Sequence, residues 1–88
     1  MTWVVAFTES ARKQLSKLNP TDRSRVLKYL NERVVEHPDP RELAKRLQGK
    51  SGELWRFRVG DLRIIVQISK GQMTVVVIEI GHRREIYR

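Results

Sequence analysis

Residues 54–65 are LWRFRVGDLRII, in which apolar and charged side chains alternate up to a Gly60-Asp61 pair and resume after it. A period of two is typical of a strand that buries one face and exposes the other. Gly60-Asp61 suits the two-residue loop that joins antiparallel strands. The stretch therefore predicts a β-hairpin, and the register of this hairpin decides how the rest of the chain can pack.

A two-residue loop at Gly60-Asp61 places Arg58 directly opposite Arg63, and Arg56 shares their face. Opposed like charges destabilise a sheet by about a few tenths of a kcal/mol, so a bound phosphate would explain the cluster. Alternatively, the arginines only cover apolar strand surface with their stems and keep their heads in water. The other face gathers the side chains expected to pack on helices, namely Trp55, Phe57, Ile64, Val66 and Ile68.

Two helices are predicted before the hairpin. Thr8 is suited to cap the first, whose apolar residues recur at helical spacing from Ala11 to Leu18. Asn19-Pro20 ends that helix and opens a second, because asparagine caps helices and proline is tolerated at the first helical position. The second helix must stop at His37-Pro38. Its apolar stripe consists of Val26, Leu27, Leu30, Val34 and Val35.

Strands are predicted at Trp3–Phe7 and, after the hairpin loop, at Leu62–Ile68 and Met73–Ile80, with a turn at Lys70-Gly71 between the last two. Residues 40–52 carry mixed signals, with a short helical turn followed by an exposed loop as one interpretation. The resulting order is β-α-α-β-β-β. We therefore expect an α+β fold in which two antiparallel N-terminal helices pack on one face of a curved, mainly antiparallel sheet.

Length and composition narrow the class of protein. With 88 residues the chain should form one domain spanning 1–88, which would bury only about 60 to 65% of its unfolded surface. Its formal net charge of +8 favours an anionic partner. It has no cysteine, signal peptide or apolar run long enough to cross a membrane, so we expect a cytoplasmic protein without disulfides, without a Cys-based zinc site and without membrane contact.

The terminal run from Gly81 to Arg88, GHRREIYR, concentrates a histidine, three arginines and a tyrosine directly after the last predicted strand. Few structural roles require that set of side chains. A basic, frayed end whose Ile86 and Tyr87 pair as an edge strand is the structural alternative.

Three motifs together resemble the RelE/ParE toxin superfamily: Leu47-Gln48-Gly49, the hairpin block from Leu54 to Ile65, and the run from Ile80 to Tyr87. The likeness covers nearly the whole chain and implies a RelE-like fold. In the ribonuclease members, basic residues at matching positions surround messenger RNA. The resemblance implies that the catalytic residues of this chain are Arg56, Arg58, Arg63, Arg83 and Tyr87. We expect that RNA is also bound by Lys50, Arg84 and Arg88.

The resemblance implies cleavage without a metal or other cofactor, in which a ribose 2′-OH attacks the adjacent phosphate and leaves a cyclic phosphate and a 5′-OH end. Arginine forks can bind phosphate oxygens and stabilise the charge that develops on phosphorus. Tyr87 is the candidate general base, with stacking on a nucleobase as its alternative role.

The chain departs from this family pattern at the proton donor. RNA-cleaving relatives commonly carry lysines where Arg56 and Arg58 stand, and a guanidinium, which stays charged, cannot readily protonate the leaving 5′ oxygen. His82 is the nearest group suited to that task, and Lys50 is another. The alternative role of His82 is that of a turn residue beside Gly81.

The leading hypothesis is a toxin of a toxin-antitoxin pair that acts as a ribosome-dependent endoribonuclease on messenger RNA and arrests translation. The alternatives are a ParE-like inhibitor of DNA gyrase without nuclease activity and a non-toxic module that binds RNA or the ribosome. The expected partners are a cognate antitoxin, acidic where it meets the basic face, together with the ribosome and messenger RNA. Operator DNA would be reached only through the antitoxin.

Overall fold

The computed structural model describes residues 2–47 and 54–82. Their strands and helices are β1 (Val4–Phe7), α1 (Glu9–Lys17), α2 (Pro20–Lys28), β2 (Lys45–Arg46), β3 (Leu54–Val59), β4 (Leu62–Ser69) and β5 (Thr74–His82), with a π-helical turn at Tyr29–Val34 and a short 3-10 helix at Pro40–Leu43. The five strands form one sheet in the order β1-β5-β4-β3-β2. The predicted α+β fold is confirmed, and β2 is an element that the sequence pattern did not indicate.

Both helices begin at the predicted caps. The Thr8 hydroxyl accepts a hydrogen bond from the Ala11 N–H at 3.1 Å. The Asn19 side chain accepts one from the Asp22 N–H at 2.8 Å, and Pro20 occupies the first turn of α2. These bonds satisfy donors that a helix N-terminus otherwise leaves without an acceptor, which is why the two boundaries could be predicted.

The second helix does not continue as a regular α-helix to Val35, as its apolar stripe predicted. It passes into the π-helical turn, where the Val35 N–H donates to the Leu30 carbonyl five residues back at 3.0 Å. Residues four apart lie on one face of a helix, and Val26, Leu30 and Val34 all face the core and are at most 1% exposed.

The hairpin has the predicted register, with Val59 opposite Leu62, Arg58 opposite Arg63 and Phe57 opposite Ile64. Gly60 adopts φ +59° in its loop, a backbone conformation that glycine reaches without a steric penalty. Because this turn sets the register of β3 against β4, it also sets the face of the sheet on which Arg56, Arg58 and Arg63 lie.

A β-bulge interrupts the pairing of β4 with β5. Ile65 lies opposite Glu79 and Val66 opposite Val77, so Ile78 is an extra residue on β5. A bulge shifts the alternation of side chains by one residue. As a result, Ile80 and His82 lie on the same face of the sheet as Val77, although they are three and five residues further along.

The first and last described strands are neighbours. β1 runs parallel to β5, with Val4 opposite Thr74 and Phe7 opposite Val77. Where β1 has ended, the Gln14 side chain from α1 accepts a hydrogen bond from the Ile80 N–H at 2.7 Å. The sheet is mainly antiparallel, as predicted, and this parallel pair was not foreseen.

The helices pack on one face of the sheet and form the core with it. Phe57 at its centre is fully buried, and its ring meets that of Tyr29 edge-on at 5.6 Å between centroids. Trp3 is also buried and donates its indole N–H to the Pro38 carbonyl at 3.2 Å, which anchors the end of the second helical segment. Among residues 2–47 and 54–82, no helix has the length and apolar character needed to span a membrane.

Candidate functional site

The face of the sheet opposite the helices carries Arg56, Arg58 and Arg63, and is called here the arginine face. The pairing of β3 with β4 sets these positions, since Arg58 lies directly opposite Arg63 and Arg56 is two residues before Arg58. The predicted grouping of the three side chains on one face is thereby confirmed. A phosphate above this face could be reached by more than one guanidinium fork.

Arg63 is only 1% exposed, whereas Arg58 is exposed. The alternative in which the arginines only lay their stems on the sheet and keep their heads in water therefore does not describe Arg63. Together with the hairpin loop, Arg58 and Arg63 line a pocket of about 80 Å³. A fully buried arginine is uncommon in proteins, and here it lines the pocket together with Arg58 and the acidic Asp61.

Two further charged residues reach the arginine face. Lys45 on β2 is directly opposite Arg56, and it is exposed. Glu79 on β5 is opposite Ile65, which is in turn opposite Arg56. Neither residue could be assigned to this face from the sequence. The strand that carries Lys45 has only two residues and shows no detectable period. Without the bulge, Glu79 would lie on the same face as Val77, which is the face of the helices.

His82 lies on the other face of the sheet, on the side of the helices. It is opposite the buried Leu62, and its Nε2 is 4.0 Å from a carboxylate oxygen of Asp22 on α2. The Asn19 amide also donates to that oxygen, at 3.1 Å. The structure therefore does not bring His82 together with Arg56, Arg58 and Arg63.

A cavity of about 440 Å³ lies beside His82, between the end of β5 and the junction of the two helices. Its lining combines polar and apolar side chains, namely Gln14, Lys17, Leu18, Asn19, Ile80, Gly81 and His82.

A groove of about 300 Å³ lies between α2 and the hairpin, and its lining is also basic. Arg25, Lys28 and Arg33 line it together with Tyr29. Burial raises the pKa of Tyr29 above 10.0, while the positive charge of Arg33, whose guanidinium is 6.0 Å from the tyrosine ring, acts in the opposite direction. This groove adds to the excess of positive charge beside the hairpin.

The remaining predicted site residues, Lys50, Arg83, Arg84, Tyr87 and Arg88, lie outside the described residues. Within residues 2–47 and 54–82, no three His, Asp or Glu side chains come together as ligands of one metal ion would.

Comparison with known proteins agrees with this architecture. A family model described as the ParE toxin of the type II toxin-antitoxin system parDE matches residues 5–87. Toxin RelG of Mycobacterium tuberculosis is 30% identical over 88 residues, which cover 100% of this chain and 99% of RelG.

Solved structures of toxin-antitoxin complexes contain the same fold. A chain of the RelBE2 complex of Mycobacterium tuberculosis superposes with a TM-score of 0.83 at 26% identity, covering 94% of this chain and 93% of that one. A chain of the E. coli RelBE complex gives a TM-score of 0.72 at 27% identity, covering 91% of this chain and 95% of that one.

Proposed function

The chain belongs to the RelE/ParE superfamily of type II toxins, and from that premise we propose that it is a ribosome-dependent endoribonuclease that cleaves messenger RNA and arrests translation. The observation that carries the proposal is the arginine face. Arg58 and Arg63 oppose each other across the hairpin, and Arg56 extends the row. Like charges held together in this way lower the stability of the sheet, so a bound anion is the reason we assign to them.

The proposed reaction uses no metal ion. The 2′-OH of one nucleotide attacks the adjacent phosphorus, and the arginine forks stabilise the negative charge that builds on the phosphate oxygens. Arg83 would add a further guanidinium, and Tyr87 would accept the proton from the 2′-OH. These two roles rest on the family resemblance.

We further propose that the protein acts in the cytoplasm and is restrained there by a cognate antitoxin. Two similar structures are of toxin-antitoxin complexes, and a net charge of +8 favours an acidic partner. Messenger RNA and ribosomal RNA would bind to the same positively charged protein, with an affinity that falls steeply as the salt concentration rises. The protein would associate with operator DNA only indirectly, through the antitoxin.

A second candidate function is inhibition of DNA gyrase by binding, without nuclease chemistry. It is favoured by the description of the matching family model as a ParE toxin. It is also favoured by the arginines at positions 56 and 58, where RNA-cleaving relatives commonly have lysines.

The decisive experiment incubates the purified protein with translating ribosomes and messenger RNA and maps new 5′-OH ends. We expect ribosome-dependent cuts that Arg58→Ala reduces by about 10²–10³-fold, the effect of removing one donor that stabilises transition-state charge. Tyr87→Phe should also reduce them. Arg46→Ala is the matched control, because Arg46 is an exposed cation opposite Trp55, on the other face of the sheet.

If wild-type protein produced no ribosome-dependent cuts, the ribonuclease proposal would be refuted. A parallel supercoiling assay tests the second candidate. Gyrase inhibition that persists in Tyr87→Phe would move the assignment to that function.

A further inference from the structure

The proposed cleavage needs a group that gives a proton to the departing 5′ oxygen. Arg56 and Arg58 cannot serve readily, because a guanidinium remains protonated at any working pH. His82, the donor suggested by the sequence, is on the opposite face of the sheet beside Asp22. Among the described residues, a donor is therefore to be sought on the arginine face itself, and this inference rests on the proposed ribonuclease function.

Lys45 has the position and the chemistry for that role. It is directly opposite Arg56 in the pairing of β2 with β3, and opposed side chains in an antiparallel pair have Cβ atoms only about 5 Å apart. A lysine ammonium can reach a phosphate held by the neighbouring arginine forks. Lys45 is exposed, so an incoming nucleic acid can contact it.

No other amine occupies this face in the strands that the structure describes. The remaining charged or amide side chains there are Arg56, Arg58, Arg63, Gln67 and Glu79, assigned to the face by their register. An arginine or an amide is a poor proton donor, and an ionised carboxylate has no proton to give. Lys45 is the member of this set that combines positive charge with a transferable proton.

We propose that Lys45 is a catalytic residue that protonates the leaving 5′ oxygen. In this step the 2′ oxygen forms its bond to phosphorus as the bond from phosphorus to the 5′ oxygen breaks. The Lys45 ammonium transfers one proton to the 5′ oxygen and becomes a neutral amine, while the general base takes the proton of the 2′-OH. The products are a 2′,3′-cyclic phosphate and a 5′-OH end, and solvent restores both protein groups. An amine supplied from the edge strand would thus compensate for the lysines absent from β3.

The test compares two messenger RNAs at saturating ribosomes in single-turnover reactions. One is all-oxygen RNA, and the other carries sulfur in place of the bridging 5′ oxygen at the scissile bond. A thiolate leaves without protonation, so the second substrate does not need a general acid. For all-oxygen RNA we expect Lys45→Ala and Lys45→Arg each to lower the cleavage rate by about 10²-fold or more. For the sulfur-bridged RNA both variants should cleave within about threefold of wild type, since the contribution of general acid catalysis has been bypassed.

Arg46→Ala is the control, because it removes one exposed positive charge from the same short strand on the other face. It should cleave both substrates at nearly the wild-type rate. The proposal is overturned if Lys45→Arg keeps full activity on all-oxygen RNA, which would mean that only positive charge is needed. It is also overturned if the sulfur substitution fails to restore the rate of Lys45→Ala. Loss of activity in Arg58→Ala with normal activity in the Lys45 variants would refute this inference and leave the ribonuclease function intact.

Discussion

Replacing Arg58 with methionine should stabilise the protein at low salt while weakening its action on RNA. Arg58 is exposed and lies directly opposite the buried Arg63. Methionine preserves most of the apolar stem that an arginine lays on a sheet, so the main loss is charge. Arg58→Met therefore isolates the electrostatic cost of holding two cations together.

The magnitude follows from the general cost of like charges that lie directly opposite each other in a sheet, which is about 0.2 to 1 kcal/mol. The Debye length is about 30 Å at 0.01 M salt and about 3 Å at 1 M, so most of this energy should be present at the lower concentration and less of it at the higher. Arg58→Met should raise the free energy of unfolding by that amount at low salt.

The assay is urea denaturation, because guanidinium chloride would itself screen the charges. Arg46→Met controls for lowering the net charge of +8 by one, since Arg46 is an exposed cation on the opposite face of β2. The reasoning fails if Arg58→Met is no more stable than Arg46→Met at low salt, or if its advantage is as large at about 1 M salt as at about 0.01 M.

Three further outcomes test the fold. Phe57→Ala should lower the free energy of unfolding by about 3–5 kcal/mol, because Phe57 is fully buried against Tyr29; a loss below about 1 kcal/mol in urea would contradict this packing. Asn19→Ala should cost about 1 kcal/mol by removing the cap of α2, and unchanged urea stability would show that the cap contributes nothing. The Arg41 hydrogen bond lowers the pKa of Asp39 from 3.8 to about 2, so its stabilisation should be full above pH 3.8 and lost as the pH falls through about 2. The stability gap between wild type and Asp39→Asn should therefore close in acid, and an equal gap at about pH 2 and pH 6 would refute the ion pair as its source.

Local chemistry explains which features the sequence could predict. The Gly60-Asp61 loop set the hairpin register, and the side chains of Thr8 and Asn19 set the helix starts, because each depends on residues close in sequence. The grouping of Arg56, Arg58 and Arg63 followed from the register alone.

The features that were missed depend on contacts distant in sequence. The extra residue Ile78 on β5 is defined only by its partner strand, and β2 is too short to show a period of its own. Lys45 was therefore not placed beside Arg56, and the burial of Arg63 could not be predicted from the alternation along its strand, because Gln67 on the same face of β4 is exposed. The composition of the core was predictable, whereas two of the five charged residues of the arginine face, Lys45 and Glu79, were not assigned to it.

The parallel pairing of β1 with β5 has a consequence for how the protein is made. Val4 pairs with Thr74, seventy residues further along the chain. Contacts of such high sequence separation form late, because a long loop must close before they contribute. The hairpin can form early on a growing chain, but β1 has no partner strand until β5 has left the ribosome. A nascent chain would thus carry the cationic strands without a closed core, and the emergence of β5 is the step that commits the molecule to its native state.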